Sequence, residues 1–442
     1  MKINKKAIQW LYDEVPRLVA GGVLDPASAE KLRAHYGEVA PSRPGRLAVL
    51  IFGILGAVLI GAGIILVLGH NWDNLTRPVR AVLSFLPLVL AQCLSLWAVT
   101  RRPASAAWRE STAALQFLMI GASISLVAQT YNISGDLPAF ILTWTLLGLP
   151  LIYLMNAVIP ALFYLWGISE WACHIRWEDG FSAGYWLLLA ALAPFAVPLL
   201  RSDRYQPRVT LLLWAVCVSV TVAAGVTIER VLPGLWIILY ASLFALLFLA
   251  GEFWFGDAEG FWTRPLRHFG GGGVLVLAFM LTFEWPWEEI GWHYYRWSHV
   301  SDEPWRVLPD VVLGGLVPLA AIVLLATTWR RKQLLGLLLG LAPLMAVFGY
   351  GIASKTGTYA LAAGLFDVYL LVAGIWLLVT GIRIPRQGQM NIGLLLISAL
   401  IIARFFDSDL DFLLRGLIFI GLGVAFLVTN IIMVRRKGAV HE

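Results

Sequence analysis

The sequence predicts an all-α, polytopic integral membrane protein of about fourteen transmembrane helices, with a small cytoplasmic helical hairpin in front. Three observations carry that reading. Apolar residues make up 59% of the chain and charged residues 14%, against roughly 45–50% and 25% in ordinary globular domains. Apolar runs long enough to cross most of a bilayer recur from Leu47 to Val434. With the N-terminus placed inside, 24 of the 33 Lys and Arg fall in inside segments, as the positive-inside rule requires. A miscounted span would invert every later loop, so a bias held along the chain favours an even count with both termini cytoplasmic.

Residues 1–45 read as a soluble helical hairpin and linker. Ile8, Leu11, Val15, Leu18 and Val19 recur at helical spacing. Gly21-Gly22 ends that helix, and Asp25-Pro26 supplies an N-cap and a proline at the first position of the next. Pro41, Pro44 and Gly45 lead into the membrane. The hairpin is either a docking module for a cytosolic protein or an amphipathic cap on the membrane domain.

The spans are expected at 47–69, 79–100, 111–130, 138–155, 158–175, 182–200, 209–228, 232–251, 269–284, 309–328, 334–353, 360–382, 390–406 and 413–434. The tight Met155-Asn156-Ala157 turn and the short thirteenth span are the weakest boundaries. Residues 46–156 form one membrane region, spans one to four, and 157–442 the remainder. The first apolar run starts too far from the N-terminus, and is too long, for a signal peptide. Net charge +6 follows from inside loops and gives no nucleic-acid signal. Cys93, Cys173 and Cys217 lie in apolar runs with neither disulfide nor zinc spacing.

The chain shows most character between Met119 and Asn156, where two apolar runs flank the polar hairpin Gln129–Asp136. Small residues (Gly121, Ala122, Ser123, Ser125, Ala128) suit close helix contact in lipid. Inside the spans, ionisable groups are costly and are candidates for function. Glu170 and Asp367 stand out, with Arg404 at the end of the thirteenth span. The topology puts these in the outer half, with Gln129, Tyr131, Asp136 and the His70-Asn71-Trp72-Asp73 turn, so polar features converge on the extracytoplasmic side. An acidic pair with an arginine could bind a cationic or zwitterionic ligand or relay protons; the plain alternative is that Arg404 pairs structurally with Asp367 or Glu170. The outer segment 284–309 holds five Trp and two Tyr among acids and two His. Glu288, Glu289, His293 and His299 match no zinc spacing, so an interfacial aromatic lid outweighs a metal site. The inner segment 252–268 is similarly aromatic. Gly270–Gly273 has no strand before it and no Lys-Ser/Thr after it, so it serves close packing or a flexible span entry rather than phosphate binding. Hydrolase, nucleotide, zincin and dinucleotide motifs are missing, and no cofactor is implied.

Trp10…Gly21-Gly22-Val23-Leu24, Gly69-His70-Asn71-Trp72-Asp73, Gly121-Ala122-Ser123-Ile124…Ala128-Gln129-Thr130-Tyr131…Ser134-Gly135-Asp136 and Leu142-Thr143-Trp144 together resemble the bacterial predicted membrane protein family filed as domain of unknown function 2157. The resemblance covers about 6–156 and implies a bacterial inner-membrane protein without supplying a reaction. Within it, Asn71, Trp72, Asp73, Gln129, Tyr131 and Asp136 match motif positions. Three function classes follow. A transporter or flippase-like protein needs a water-lined path containing Glu170 or Asp367. A non-catalytic sensor or scaffold needs a solid bundle and a hairpin for a cytosolic partner. A lipid-modifying enzyme needs a lateral groove ending at Asp73 or Asp136.

Overall fold

The computed structural model describes residues 5–36, 75–178, 180–228, 234–256, 260–288, 290, 304–330, 334–357, 359–383 and 387–407, with scattered positions between 51 and 67 and between 420 and 427. Among the described residues all regular structure is helical and none is strand. Among these residues ten helices are long and apolar enough to cross a bilayer, or eleven if one bent pair counts as a span.

Two helices come first, α1 (Lys5–Ala20) and α2 (Pro26–Tyr36). Gly22 takes φ +70° at the turn between them, a conformation that favours glycine. Val15 and Ala29 are buried. Then follow α3 (Arg77–Arg101), α4 (Ala106–Tyr131), α5 (Leu137–Met155) and α6 (Val158–Trp177). Next are α7 (Tyr185–Ala191), α8 (Ala193–Ser202), α9 (Pro207–Thr227), α10 (Leu235–Phe255) and α11 (Pro265–Met280). The short α12 (Trp285–Glu288) precedes α13 (Leu308–Arg330), α14 (Leu334–Gly340), α15 (Ala342–Thr356), α16 (Tyr359–Arg383) and α17 (Gln387–Asp407).

A helix stands at every expected span from the second to the thirteenth, with three changes of form. The sixth is the pair α7 and α8, bent by 46°. Pro194 lies at the start of α8, and a proline both lacks an N–H and crowds the carbonyl four residues back. Pro343 sits in the same way at the break between α14 and α15. The ninth is only 16 residues long; at 1.5 Å per residue that is about 24 Å, short of a hydrocarbon core of about 30 Å. Most of the expected fourteenth span, and part of the first, lie outside the described residues.

The chain divides into two compact units. One comprises Met1–Ser134 with Pro150–Pro160. In it α3 packs along α4, whose buried face runs through Phe117, Met119, Ala122 and Leu126. The outer face of α3 presents Val82, Phe85, Leu90 and Leu96, apolar side chains that suit lipid.

The other comprises Gly135–Leu149 with Ala161–Glu442. Its hub is α10, packed against α9, α11, α13, α14 and α15. Ile237, Ala241, Ala245, Phe248 and Leu249 of α10 join Val274, Leu277, Trp287, Ala346 and Phe366 in the largest core. Glycines set the closest approaches. A Cβ on Gly270 would stand 2.6 Å from the Phe244 carbonyl, and one on Gly393 2.7 Å from the Gly374 carbonyl. So Gly270–Gly273 lies inside α11 and serves close packing on α10, and α16 lies along α17 for the same reason.

Candidate functional site

The polar hairpin Gln129–Asp136 is built by two helix ends. At the end of α4, Asn132 takes the left-handed conformation (φ 49°), which asparagine tolerates. Its N–H and that of Ile133, the latter at 2.9 Å, both turn back to the Ala128 carbonyl, closing the helix. Asp136 then starts α5: its Oδ1 accepts the Ala139 N–H at 2.7 Å, an N-cap bond. Gln129 and Tyr131 are exposed. Asn71, Trp72 and Asp73, like His70, lie outside the described residues.

Glu170 and Asp367 take different partners. Glu170 Oε1 lies 3.1 Å from His174 Nε2, one turn further along α6. His174 and Arg176 fall in the last turn of that helix, where positive charge meets the negative end of the dipole. Next to Glu170, Ser169 Oγ lies 2.7 Å from Ser219 Oγ of α9, which lies 2.6 Å from the Tyr185 hydroxyl. This partly buried hydroxyl chain ties α6, α7 and α9 together. Asp367 of α16 instead receives Arg404 Nε of α17 at 3.1 Å. Arg404 also donates to the Thr282 carbonyl beyond α11 and stands 5.7 Å from the centre of the Phe283 ring. Trp287 is wholly buried against Phe366, the residue before Asp367, and its indole N–H donates to the Leu281 carbonyl at 3.0 Å. Of the expected acids, Asp367 thus meets Arg404, while Glu170 pairs within its own helix.

Two buried acids were not among the expected candidates. Glu110 of α4 is 5% exposed. Its two carboxylate oxygens accept the N–H groups of Val158 and Ile159 at 3.0 and 2.8 Å, capping α6 from another helix. A sequence signal exists: Ala157, in the cap position of α6, has no side-chain acceptor, so the first N–H groups of α6 need one from elsewhere. Asp310 is buried in the first turn of α13, where a helix N-terminus favours a carboxylate.

Among the described residues no three His, Cys, Asp or Glu are grouped to hold a metal. Of the four residues in the aromatic outer segment, Glu288 is exposed; Glu289, His293 and His299 lie outside the described residues. At the start of α11, burial, then the guanidiniums of Arg267 and Arg264, holds the His268 imidazole below its ordinary value of 6.5.

With helices of spanning length carrying these polar groups, the comparison with known families is decisive for class. Residues 16–161 match the family described as Predicted membrane protein (DUF2157). The match covers the first third of the chain and ends one residue beyond the first compact unit. It contains α3, α4 and α5, the Gln129–Asp136 hairpin, and both Glu110 and the two N–H groups it receives. The protein is therefore a membrane protein with several apolar helices in contact with the bilayer. No curated protein and no solved structure matches the chain.

Proposed function

We propose that the protein is a non-catalytic membrane sensor or scaffold in the bacterial inner membrane. In this reading it crosses about fourteen times with both termini cytoplasmic. Residues 1–45 form a cytoplasmic hairpin that docks a cytosolic protein, 46–156 the family-like membrane region and 157–442 the remaining spans. One observation carries the choice: the described acids expected to line a pocket are engaged in holding helices. Asp136 starts α5, Glu170 pairs along α6, and Asp367 joins α16 to α17.

A transporter or flippase-like protein with an outward polar pocket is the second reading. It is favoured by partial accessibility: the side chains of Asp367 and Arg404 are 28% and 34% exposed, and that of Glu170 is 38% exposed.

Cysteine labelling in intact cells separates the two. In a variant lacking Cys93, Cys173 and Cys217, the substitutions Asp73→Cys, Asp136→Cys, Glu170→Cys and Asp367→Cys are made singly and treated from outside with a membrane-impermeant thiol reagent. The scaffold reading expects labelling at 73 and 136 only. Labelling at 170 or 367 means that water enters the bundle, and the transporter reading replaces it.

A further inference from the structure

Three helices of the second unit have ends at one place. There α10 finishes at Phe255, and α9 and α11 begin at Pro207 and Pro265, linked by Arg204 to the Trp254 carbonyl and by contacts of α11 with both neighbours. Both starting helices open with a proline, with neither an acid in the first turn nor a side-chain cap. Arg208 and Arg267 occupy those first turns, where the positive end of the dipole favours an anion instead.

Several groups offset this charge in part. Glu252 pairs with Arg267 at 2.5 Å, and Asp203 Oδ1 receives the Tyr205 N–H at 3.0 Å. The end of α10 receives Arg204 on the Trp254 carbonyl at 2.5 Å and Arg264 on the Gly256 carbonyl at 2.7 Å. Asp257 and Glu259 lie outside the described residues. Capping α10 accounts for one N–H of each arginine, whereas a guanidinium carries five and stays fully charged. A carbonyl satisfies a donor and leaves the charge in place. Arg264 Nε is buried with no acceptor among the described residues.

Beside these guanidiniums stands an aromatic fringe held in place while exposed. Trp214 of α9 packs against Phe261, Trp262 and Phe269 at 5.4, 5.6 and 6.3 Å between ring centres. Its indole N–H donates to the Trp262 carbonyl at 3.4 Å. Even so, Phe261 and Trp262 remain 59% and 66% exposed, and Trp254 is exposed too. Fixed, exposed Trp and Phe next to arginine fit an amphiphile at the membrane surface. A free phosphate would have no use for the aromatic fringe.

We propose that this end of the second unit binds an anionic phospholipid, with Arg204 and Arg264 holding the phosphate head and Trp254, Phe261 and Trp262 against the upper acyl chains. The test uses the full chain in detergent, mixed with equimolar phosphatidylglycerol and phosphatidylcholine of matched chains and read by native mass spectrometry. Phosphatidylglycerol adducts are expected in excess. Arg204→Gln with Arg264→Gln should cut the ratio of the two adducts by about fivefold per guanidinium, about twenty-five-fold for the pair. Arg204→Lys with Arg264→Lys, which keeps the charge, should hold the ratio within about twofold. If the Gln pair loses monodispersity on size exclusion, Trp262→Ala reads the same site and should lower the phosphatidylglycerol adduct. An unchanged ratio in the Gln pair, or an unchanged adduct in Trp262→Ala, overturns the proposal. So does displacement of phosphatidylglycerol by inorganic phosphate, which would make this a free-anion site.

Discussion

Replacing Glu110 gives the sharpest test of how the family-matched region is held together. Its carboxylate receives two backbone N–H groups at the start of α6, at 3.0 and 2.8 Å, and is 5% exposed. Water therefore has little access to replace it. A hydrogen bond to a charged group contributes about 1.5–3 kcal/mol, and an orphaned buried donor costs about 1–3 kcal/mol. The Val158 N–H is buried and the Ile159 N–H only partly so, which brings the expected loss for Glu110→Ala to about 3–4 kcal/mol. Glu110→Gln keeps one oxygen acceptor and loses the charge, so about half that loss is expected. Glu110→Asp keeps the charge on a shorter stem and should fall between Gln and Ala.

The assay is unfolding of the detergent-solubilised full chain by sodium dodecyl sulfate titration, with hydrogen exchange at Val158 and Ile159 as the local readout. An Ala variant within about 0.5 kcal/mol of the parent, the spread of ordinary surface changes, would refute the reasoning. So would unchanged exchange at those two amides, because either result would mean that the start of α6 finds another acceptor.

Three further outcomes are expected. Gly270→Ala puts a methyl 2.6 Å from the Phe244 carbonyl and should destabilise by about 1–3 kcal/mol, whereas Gly272→Ala meets nothing within 4 Å and should stabilise α11 by up to about 1 kcal/mol; the same titration reads both. A double-mutant cycle on Asp367→Asn and Arg404→Ala should give a coupling of about 1 kcal/mol, held down by the partial exposure of both side chains. Arg404→Ala alone should cost more than Asp367→Asn, because Arg404 also serves the Thr282 carbonyl. His268 is held below 6.5 by burial and two guanidiniums, so at pH well above 6.5 it is neutral whether folded or unfolded and contributes no slope. As pH falls through 6.5 the unfolded chain takes the proton first and stability drops; His268→Gln should flatten that part of a stability-against-pH profile.

The positions of the helices were legible because each needs an apolar run of about twenty residues, and such runs are local in sequence. Their breaks were less so. Pro194 and Pro343 mark the breaks, yet proline also sits inside unbroken helices of this chain, as Pro150 in α5 and Pro318 in α13. Apolarity alone overran α11: the run continues into Leu281–Phe283, but the helix stops at Met280. There the buried Thr282 turns its carbonyl to Arg404, and Trp287 folds back so that its indole N–H meets the Leu281 carbonyl. The bond from Arg404 joins residues 122 positions apart, which no local window of sequence contains.

The same difference of range explains the candidate acids. An ionisable residue in a span is by default a mark of function, because burying it without return is costly. The return here is geometric. Asp136 and Glu110 lie where a helix begins, where two or more N–H groups lack acceptors and the dipole favours negative charge. A carboxylate placed there satisfies groups that lipid cannot. Asp367 lies instead along α16, with no helix end to serve, and takes a guanidinium from α17. Its partner spends a second donor on a carbonyl beyond α11, so one ion pair joins three segments. This makes Asp367 and Arg404 the place where scaffold and transporter readings diverge most sharply: a ligand that entered there would have to compete with an internal partner on each side.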